Sequence, residues 1–316
     1  MPAAPVRQYG TALVLAAALL WGTTGATQTL APSSASALTV AAARLCVGGL
    51  ILLGWALIRS GPARMTSCWT RSTWALTAAG VSSVAAYQAL FFSAVRGTGV
   101  ATGTLIAIGS APVITGLLGL TIKERVSRSW AMATAVTVIG LAMLLVPGGG
   151  AVVRPSGILY ALGAAAAYST YTVAGRALLA RGVDEQVVVG AFFGLACVPI
   201  VAVSARDDIS WLLTWDGVVV ALWLGLGATA VPYLLWIRGL RTTAVSSATA
   251  VGLAEPLTAT ALGIFLLGEG FTAWTIAGMI AIVVGLALIG RDSTLNVSHR
   301  QTSLPGAAVS NYVRSP

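Results

Sequence analysis

Long apolar runs separated by short polar links are the dominant pattern along this chain. A helix needs about 20 mainly apolar residues to cross the hydrocarbon core of a bilayer. Runs of that kind recur from end to end, and most charged residues lie in the links between them. The pattern predicts ten membrane-spanning helices, at residues 10–30, 36–58, 73–94, 98–121, 130–147, 156–177, 186–205, 216–237, 244–267 and 272–290.

The two halves of the sequence resemble each other. Identical residues, including polar ones and glycines, coincide at one constant offset: Arg96 with Arg241, Thr98 with Thr243, Glu124 with Glu269, and Gly140 with Gly285. Shared hydrophobicity does not explain matches of arginine, glutamate and glycine in a single register. We therefore expect a duplicated unit, which is a common sign of a transporter because one half can rock against the other.

The duplication predicts domains and topology. We assign residues 1–147 to a first five-helix repeat and residues 155–292 to a second. Residues 293–316 are polar and aperiodic, which is typical of a disordered tail. Because five spans per half is an odd number, the second half enters the membrane from the opposite side, and the repeats are inverted. A substrate site is then expected near the middle of the membrane, between the halves.

Composition and charge agree with a membrane protein. The chain is 57% hydrophobic and 9% charged, whereas soluble domains carry roughly a quarter charged residues. The formal net charge of +9 forms no basic tract, so we expect anionic lipid headgroups rather than nucleic acid as the counter-charge. Fourteen of the 18 Lys and Arg residues flank the spans on one side. The positive-inside rule then places both termini in the cytosol. We expect a multi-pass protein of a bacterial cytoplasmic membrane.

Metal, cofactor and enzyme chemistry are not indicated. Cys46, Cys68 and Cys197 have no metal-ligand spacing, and the single histidine, His299, lies in the polar tail. The chain also lacks the clustered carboxylates, or the nucleophile with a base, that a membrane-embedded enzyme needs. We therefore expect no cofactor, no metal and no enzymatic activity.

Two charged residues lie well inside predicted spans, Arg44 in the second and Glu255 in the ninth. An intramembrane charge is costly and usually faces a cavity or a partner. Three interpretations stay open. The two residues form an ion pair or polar cluster that holds the halves together, one or both contact a charged or zwitterionic substrate, or Arg44 snorkels to the interface. Glu255 is also the one candidate for a proton-binding carboxyl, which would couple transport to a pH gradient.

Polar aromatic residues in the first, third, sixth and eighth spans are candidates for substrate contact, because such rings stack on a metabolite and also hydrogen-bond it. Together with Arg44 and Glu255, the predicted substrate-binding set contains Trp21, Tyr87, Gln88, Tyr168, Tyr171, Tyr233 and Trp236. Packing or an interfacial belt is the alternative for each. Tryptophans near span ends are predicted to be belt residues, namely Trp69, Trp130, Trp211, Trp215 and Trp274.

Pro112, Pro232 and Pro256 fall inside predicted spans. Each removes a backbone donor and clashes with the preceding turn, which kinks a helix. Lipid cannot satisfy the freed carbonyl, so we expect each kink to face protein or water. The kinks are predicted to be either gate hinges or static bends.

The end of each half resembles an EamA-like domain of the drug/metabolite transporter superfamily. The resemblance rests on Ala254-Glu255-Pro256-Leu257, Leu267-Gly268-Glu269, Gly278 and Gly285, with a weaker echo in Pro112, Glu124 and Gly140. It implies ten helices in two inverted five-helix repeats, alternating access, and small metabolites as substrates, often amino acids, with export in many members. The motif acids Glu124 and Glu269 end the fourth and ninth spans, either as solvated acids at helix junctions or as parts of a gate.

The duplicated spans predict a secondary transporter for a small metabolite, and the resemblance implies an amino acid or a related compound that is moved out of the cell. The alternative is a lipid or lipid-linked-sugar flippase of the same fold, whose cavity would open sideways to lipid. Ten spans suffice for a monomer to form a transport pathway, and a dimer is also compatible with the sequence.

Overall fold

The computed structural model of the protein describes residues 4–28, 30–98, 100–122, 127–145, 154–267 and 272–302. Across these ranges the regular structure is helical, without a β-strand, so the prediction of an all-α protein is confirmed there. The α-helices are α1 (Ala4–Trp21), α2 (Thr23–Gln28), α3 (Ala37–Ser60), α4 (Pro62–Met65), α5 (Trp74–Thr98), α6 (Val100–Gly119), α7 (Arg128–Leu145), α8 (Pro155–Ala180), α9 (Glu185–Ser204), α10 (Trp215–Leu222), α11 (Val231–Gly239), α12 (Val245–Val251), α13 (Ala254–Leu267) and α14 (Ala273–Thr302).

Several helices have the length and apolarity that a bilayer requires. Three segments of the described chain are long and apolar enough to cross it: Leu38–Ser60, Glu185–Ser204 and Trp215–Gly239. Shorter apolar stretches are Tyr9–Trp21, Ile106–Ile122, Arg128–Met143 and Ala273–Leu288. Large apolar side chains such as Phe265 and Val198 are 85% and 71% exposed, which suits a lipid surface. A multi-pass membrane protein is thus supported, while ten spans in two inverted repeats stay a prediction.

Three of the predicted spans are interrupted rather than continuous. The first breaks at Gly22, between α1 and α2, and the ninth breaks at residues 252–253, between α12 and α13. The eighth contains a π-helical segment, Trp223–Ala230, between α10 and α11. Irregular backbone inside a membrane is tolerated where it is buried in protein or lines a cavity, and π-segments frequently mark functional sites.

One of the contacts between the two halves is the packing of α7 against α14. A Cβ built on Gly140 would lie 2.8 Å from the Gly278 carbonyl oxygen, and one built on Gly285 would lie 2.9 Å from the Ala133 carbonyl oxygen. Ala133 of α7 meets Gly285 of α14, and Gly140, farther along α7, meets Gly278, which comes earlier on α14. The two helices therefore run antiparallel. Gly140 matches Gly285, and Ala133 matches Gly278, at the offset of the sequence repeat. The contact therefore maps onto itself when the two halves are exchanged.

A second close approach joins α3 to the π-helical segment. A Cβ on Gly48 would lie 2.5 Å from Thr229 Cγ2 and 2.7 Å from the Gly225 carbonyl oxygen. Only a residue without a side chain leaves room for this backbone contact. The approach fixes the distance between α3 and the eighth predicted span.

We expect Gly48→Ala to lower the free energy of unfolding by about 1–3 kcal/mol, since overpacking forces the backbone apart. Thermal unfolding of the purified protein in detergent measures the loss. Gly54→Ala is the matched control on the same helix, because nothing lies within 4 Å of a Cβ at that position. Equal losses in both variants would refute the packing role of Gly48.

Two tryptophans predicted as belt residues are buried instead. Trp211 is 1% exposed and its Nε1–H donates to Thr39 Oγ1 at 3.1 Å. Trp130 is 8% exposed and donates to the Ser246 carbonyl oxygen at 3.1 Å. Their position near span ends was misleading because loops and neighbouring helices cover them, and each indole N–H finds a protein acceptor. The other predicted belt residues are exposed, namely Trp69, Trp215 and Trp274.

The C-terminal helix extends beyond the predicted last span. α14 continues to Thr302, whereas the sequence predicts an aperiodic tail from residue 293. A helix that has started propagates at small cost per residue, even into a polar segment. Residues 303–316 lie outside the described chain.

Candidate functional site

Six of the predicted substrate-binding residues lie in one aromatic cluster. Its members come from α1, α5, α8 and α11, which are distant in sequence: Trp21, Tyr87, Tyr168, Tyr171, Tyr233 and Trp236. The ring centroids of Trp21 lie 4.9 Å from Tyr233 and 5.1 Å from Trp236. Tyr168 joins the cluster at 6.1 Å from both Tyr87 and Trp236. The structure therefore brings together the rings of four predicted spans.

Helix geometry explains how each ring reaches the cluster. Trp21 is the last residue of α1, at the break in the first predicted span. Tyr233 and Trp236 lie three apart on α11, so both point to the same side of that helix. Tyr168 and Tyr171 have the same spacing on α8. The Tyr171 and Tyr233 hydroxyls are 3.4 Å apart and form a buried hydrogen bond between α8 and α11.

Two indole N–H groups in the cluster have no acceptor. Trp21 and Trp236 are 4% and 2% exposed, and their Nε1 atoms have no hydrogen-bond partner among the described residues. Leaving a buried donor unpaired costs about 1–3 kcal/mol. By contrast, the equally buried indole of Trp211 is paired with Thr39. Buried polar groups are usually hydrogen-bonded, so these two unpaired donors set the cluster apart from the rest of the described core.

Glu255 lies beside the cluster at the break in the ninth predicted span. It belongs to the first turn of α13, and its amide donates to the Gly252 carbonyl oxygen at 2.9 Å. A Cβ on Gly252 would lie 3.6 Å from the Tyr168 hydroxyl, and one on Gly22 would lie 2.7 Å from the Glu255 carbonyl oxygen. The breaks of the first and ninth predicted spans therefore touch, and Glu255 lies at their junction. Its carboxylate is also close enough to Tyr87, Tyr168 and Tyr233 to interact with them electrostatically.

Arg44 is directed to the eighth predicted span. Its Nε–H donates to Thr229 Oγ1 at 3.0 Å, and Nη2 donates to the Ala228 carbonyl oxygen at 3.3 Å. In the described chain, no ion pair within 4.0 Å joins Arg44 to Glu255, although the two charges interact electrostatically. The direct ion pair is thus not formed in this conformation, and the guanidinium is half-buried among backbone and hydroxyl acceptors.

The remaining predicted residues divide into three groups. Gln88 is buried next to Tyr87 on α5, and no described hydrogen bond joins it to the cluster. Pro112 lies inside the continuous helix α6, whereas Pro232 and Pro256 follow the irregular segments of their spans. Glu124 and Glu269 lie outside the described residues.

Sequence reasoning missed Phe91 and Phe193. The Phe193 ring lies 3.9 Å from Tyr233 and the Phe91 ring lies 5.6 Å from Tyr87, centroid to centroid. A phenylalanine within an apolar run has no polar edge to distinguish it from a lipid-facing one. Only the packing of α5 and α9 assigns these rings to the cluster.

Among the described residues, ion pairs lie at helix ends rather than in the cluster. Arg64 pairs with Asp184 at 2.8 Å, and Glu185 accepts from Arg238 at 3.0 Å and from Arg241. The arginine side chains are 51–67% exposed, so each pair contributes little to stability. They join the start of α9 to α4 and to the end of α11.

An apolar groove of about 520 Å³ lies between α13 and α14. Its lining is almost wholly aliphatic and includes Ile280 and Val283, which are 59% and 52% exposed. It presents one hydroxyl, that of Thr258, and no charge. We assign this surface to lipid contact, because it lacks the convergent polar groups of a metabolite site.

The chain is similar to known proteins along most of its length. A family model described as the EamA-like transporter family matches residues 8–146 and 155–291. A protein of Bacillus subtilis named an uncharacterized transporter, YwfM, is 37% identical over 90% of this chain and 96% of its own length. An uncharacterized transporter of Archaeoglobus fulgidus is 27% identical over 90% of this chain and 97% of its own length. A solved crystal structure superposes with a TM-score of 0.76 at 22% identity, covering 89% of this chain and 97% of the other, and so supports the fold.

Proposed function

Because the chain belongs to the EamA-like transporter family, we propose that it is a secondary transporter that exports an amino acid or a related small metabolite by alternating access. The observation that carries this proposal is the meeting of six predicted rings with Glu255 at touching breaks of two helices. Interrupted helices commonly build the substrate sites of transporters near the middle of the membrane.

The polar groups of the site suggest the chemistry of the substrate. Two unpaired indole N–H groups, those of Trp21 and Trp236, need acceptors such as a carboxylate. The Glu255 carboxylate accepts hydrogen bonds, and aromatic faces attract ammonium groups. A zwitterion with an apolar body satisfies the donors, the acceptor and the rings together. We therefore assign amino-acid-like compounds to this site.

The reciprocal contact of α7 with α14 supports the proposed inverted repeat. Gly140 meets Gly278 as Gly285 meets Ala133, and the helices are antiparallel. A two-fold axis across these helices relates the two contacts and would lie in the membrane plane. We propose residues 1–147 and 155–292 as the two five-helix repeats, with ten spans in total and a monomer as the transport unit.

We propose that the protein lies in the cytoplasmic membrane with both termini in the cytosol. A cysteine introduced at residue 2 or at residue 310 should then react with a membrane-impermeant maleimide in inside-out vesicles and not in intact cells. Labelling of the two termini from opposite faces would contradict an even number of spans and the inverted repeat.

Counterflow in proteoliposomes tests the proposed activity. Vesicles are loaded with one of the 20 common amino acids at a time and are given the same amino acid, labelled, outside. We expect the label to accumulate only when the protein is present, and only for some of the 20 amino acids. Vesicles with heat-inactivated protein are the control. No counterflow for any amino acid would reject this substrate class. A labelled phospholipid that changes leaflet would instead support the flippase alternative, which the names of the relatives do not favour.

The proposed role does not include catalysis. The family and its named relatives are transporters, and the site combines binding groups with one carboxylate rather than a nucleophile and a base. The proposed partners are the solute and the lipid bilayer.

A further inference from the structure

Arg44 bonds to the end of the π-helical segment of the eighth predicted span, shortly before Pro232, a residue that has no backbone N–H. Bonds of the π-helical segment span five residues, as from the Val231 amide to the Leu226 carbonyl oxygen, whereas in the α-helix that follows each carbonyl accepts from the amide four residues later. For Ala228 that residue is Pro232, which has no N–H. The Ala228 carbonyl oxygen instead accepts from Arg44 Nη2 at 3.3 Å. A side chain of α3 thus supplies a donor that the proline cannot.

A second bond of Arg44 acts on the same segment. Its Nε–H donates to Thr229 Oγ1 at 3.0 Å, and the Thr229 hydroxyl donates to the Leu224 carbonyl oxygen at 2.7 Å. Arg44 therefore bonds directly to two consecutive residues of the π-helical segment, Ala228 and Thr229, and is linked to the Leu224 carbonyl oxygen through the Thr229 hydroxyl. The close packing of Gly48, one turn later on α3, brings the guanidinium within reach.

The segment held by Arg44 carries two rings of the candidate site. Tyr233 follows Pro232 directly, and Trp236 lies one turn farther along α11. Both rings contact the ring of Trp21, which belongs to α1. A shift of residues 228–232 would move both rings, because α11 continues directly from the π-helical segment.

We propose that Arg44 is a positioning residue: it replaces the backbone donor missing at Pro232 and thereby sets the placement of Tyr233 and Trp236. In this role Arg44 is directed to protein acceptors rather than to substrate. The consequence for transport rests on the proposed function, whereas the structural consequence does not.

A rescue experiment tests this assignment. Arg44→Met removes the donors and keeps a long apolar side chain, and Pro232→Ala restores an N–H to the backbone. Hydrogen–deuterium exchange of peptides covering residues 223–236 is measured in detergent, together with the melting temperature. Counterflow of the best amino acid from the panel above gives KM and the maximal rate.

We expect Arg44→Met to speed amide exchange in this segment about tenfold, as loss of a charge-assisted hydrogen bond predicts. The double variant Arg44→Met with Pro232→Ala should regain most of the protection and most of the transport rate. Arg44→Lys, which keeps one charged donor, should be intermediate, and it serves if Arg44→Met fails to fold. Pro199→Ala is the matched control, because Pro199 lies inside α9 and should not rescue Arg44→Met.

Several results would overturn the assignment. Unchanged exchange in Arg44→Met with a raised KM would indicate direct contact of Arg44 with substrate. Absence of rescue by Pro232→Ala, or equal rescue by Pro199→Ala, would show that the proline and the arginine are not coupled. If no amino acid is transported, the proposed function fails, yet exchange and melting still decide the role of Arg44.

Discussion

Glu255→Gln is expected to lower the initial counterflow rate by about tenfold or more, the effect of losing a charge-assisted hydrogen bond to the substrate. Glutamine has nearly the same shape and keeps an acceptor, so the helix junction at Gly22 remains packed. The amount of folded protein in the membrane, measured by fluorescence-detected size exclusion, should therefore stay within about twofold of wild type.

Asp208→Asn provides the matched control for this change of charge. Asp208 lies in the link before α10, and hydrogen bonds from the Ser210 amide and hydroxyl lower the pKa of its carboxyl, which is therefore ionised at neutral pH. Its neutralisation should leave the rate unchanged. If Glu255→Gln reduces folded protein and transport equally, Glu255 belongs to a structural polar cluster. The same vesicles show whether a pH gradient drives transport and whether the glutamine variant loses that dependence.

Trp21→Phe and Trp236→Phe are expected to raise KM about tenfold each, since the loss of one buried hydrogen bond to a charged acceptor has that size. Phenylalanine keeps an aromatic ring and removes the indole N–H. These N–H groups have no acceptor among the described residues, so the substitution breaks no hydrogen bond within the described protein. Counterflow at several substrate concentrations gives KM for each variant.

Trp211→Phe separates this effect from loss of volume. Trp211 is as buried as Trp236, but its N–H is bonded to Thr39. Its replacement should lower the melting temperature more than Trp21→Phe does, while KM stays unchanged. If KM is unchanged in Trp21→Phe and Trp236→Phe, and Trp21→Phe lowers the melting temperature more than Trp211→Phe does, the two indoles do not bind substrate.

The candidate site was largely predictable because membrane chemistry makes polar residues conspicuous. Tyr168, Tyr233 and Glu255 stand out in apolar runs, where a polar group must have a partner. Gln88 stands out on the same ground and is buried without a described bond to the cluster. Phe193 was not predictable, because nothing in the sequence separates a ring that packs against Tyr233 from one that faces lipid.

The amino-acid sequence by itself determined the class of the protein: helical, membrane-embedded, duplicated, and equipped with few buried polar groups. It did so because the cost of placing charge and unpaired backbone in lipid leaves a strong pattern of hydrophobicity. Tertiary structure alone decided which acceptors Arg44 uses, that Trp211 is enclosed, and that the breaks at Gly22 and Gly252 meet. These features depend on contacts between residues far apart in the chain, and helix periodicity carries no information about which faces of distant helices come together.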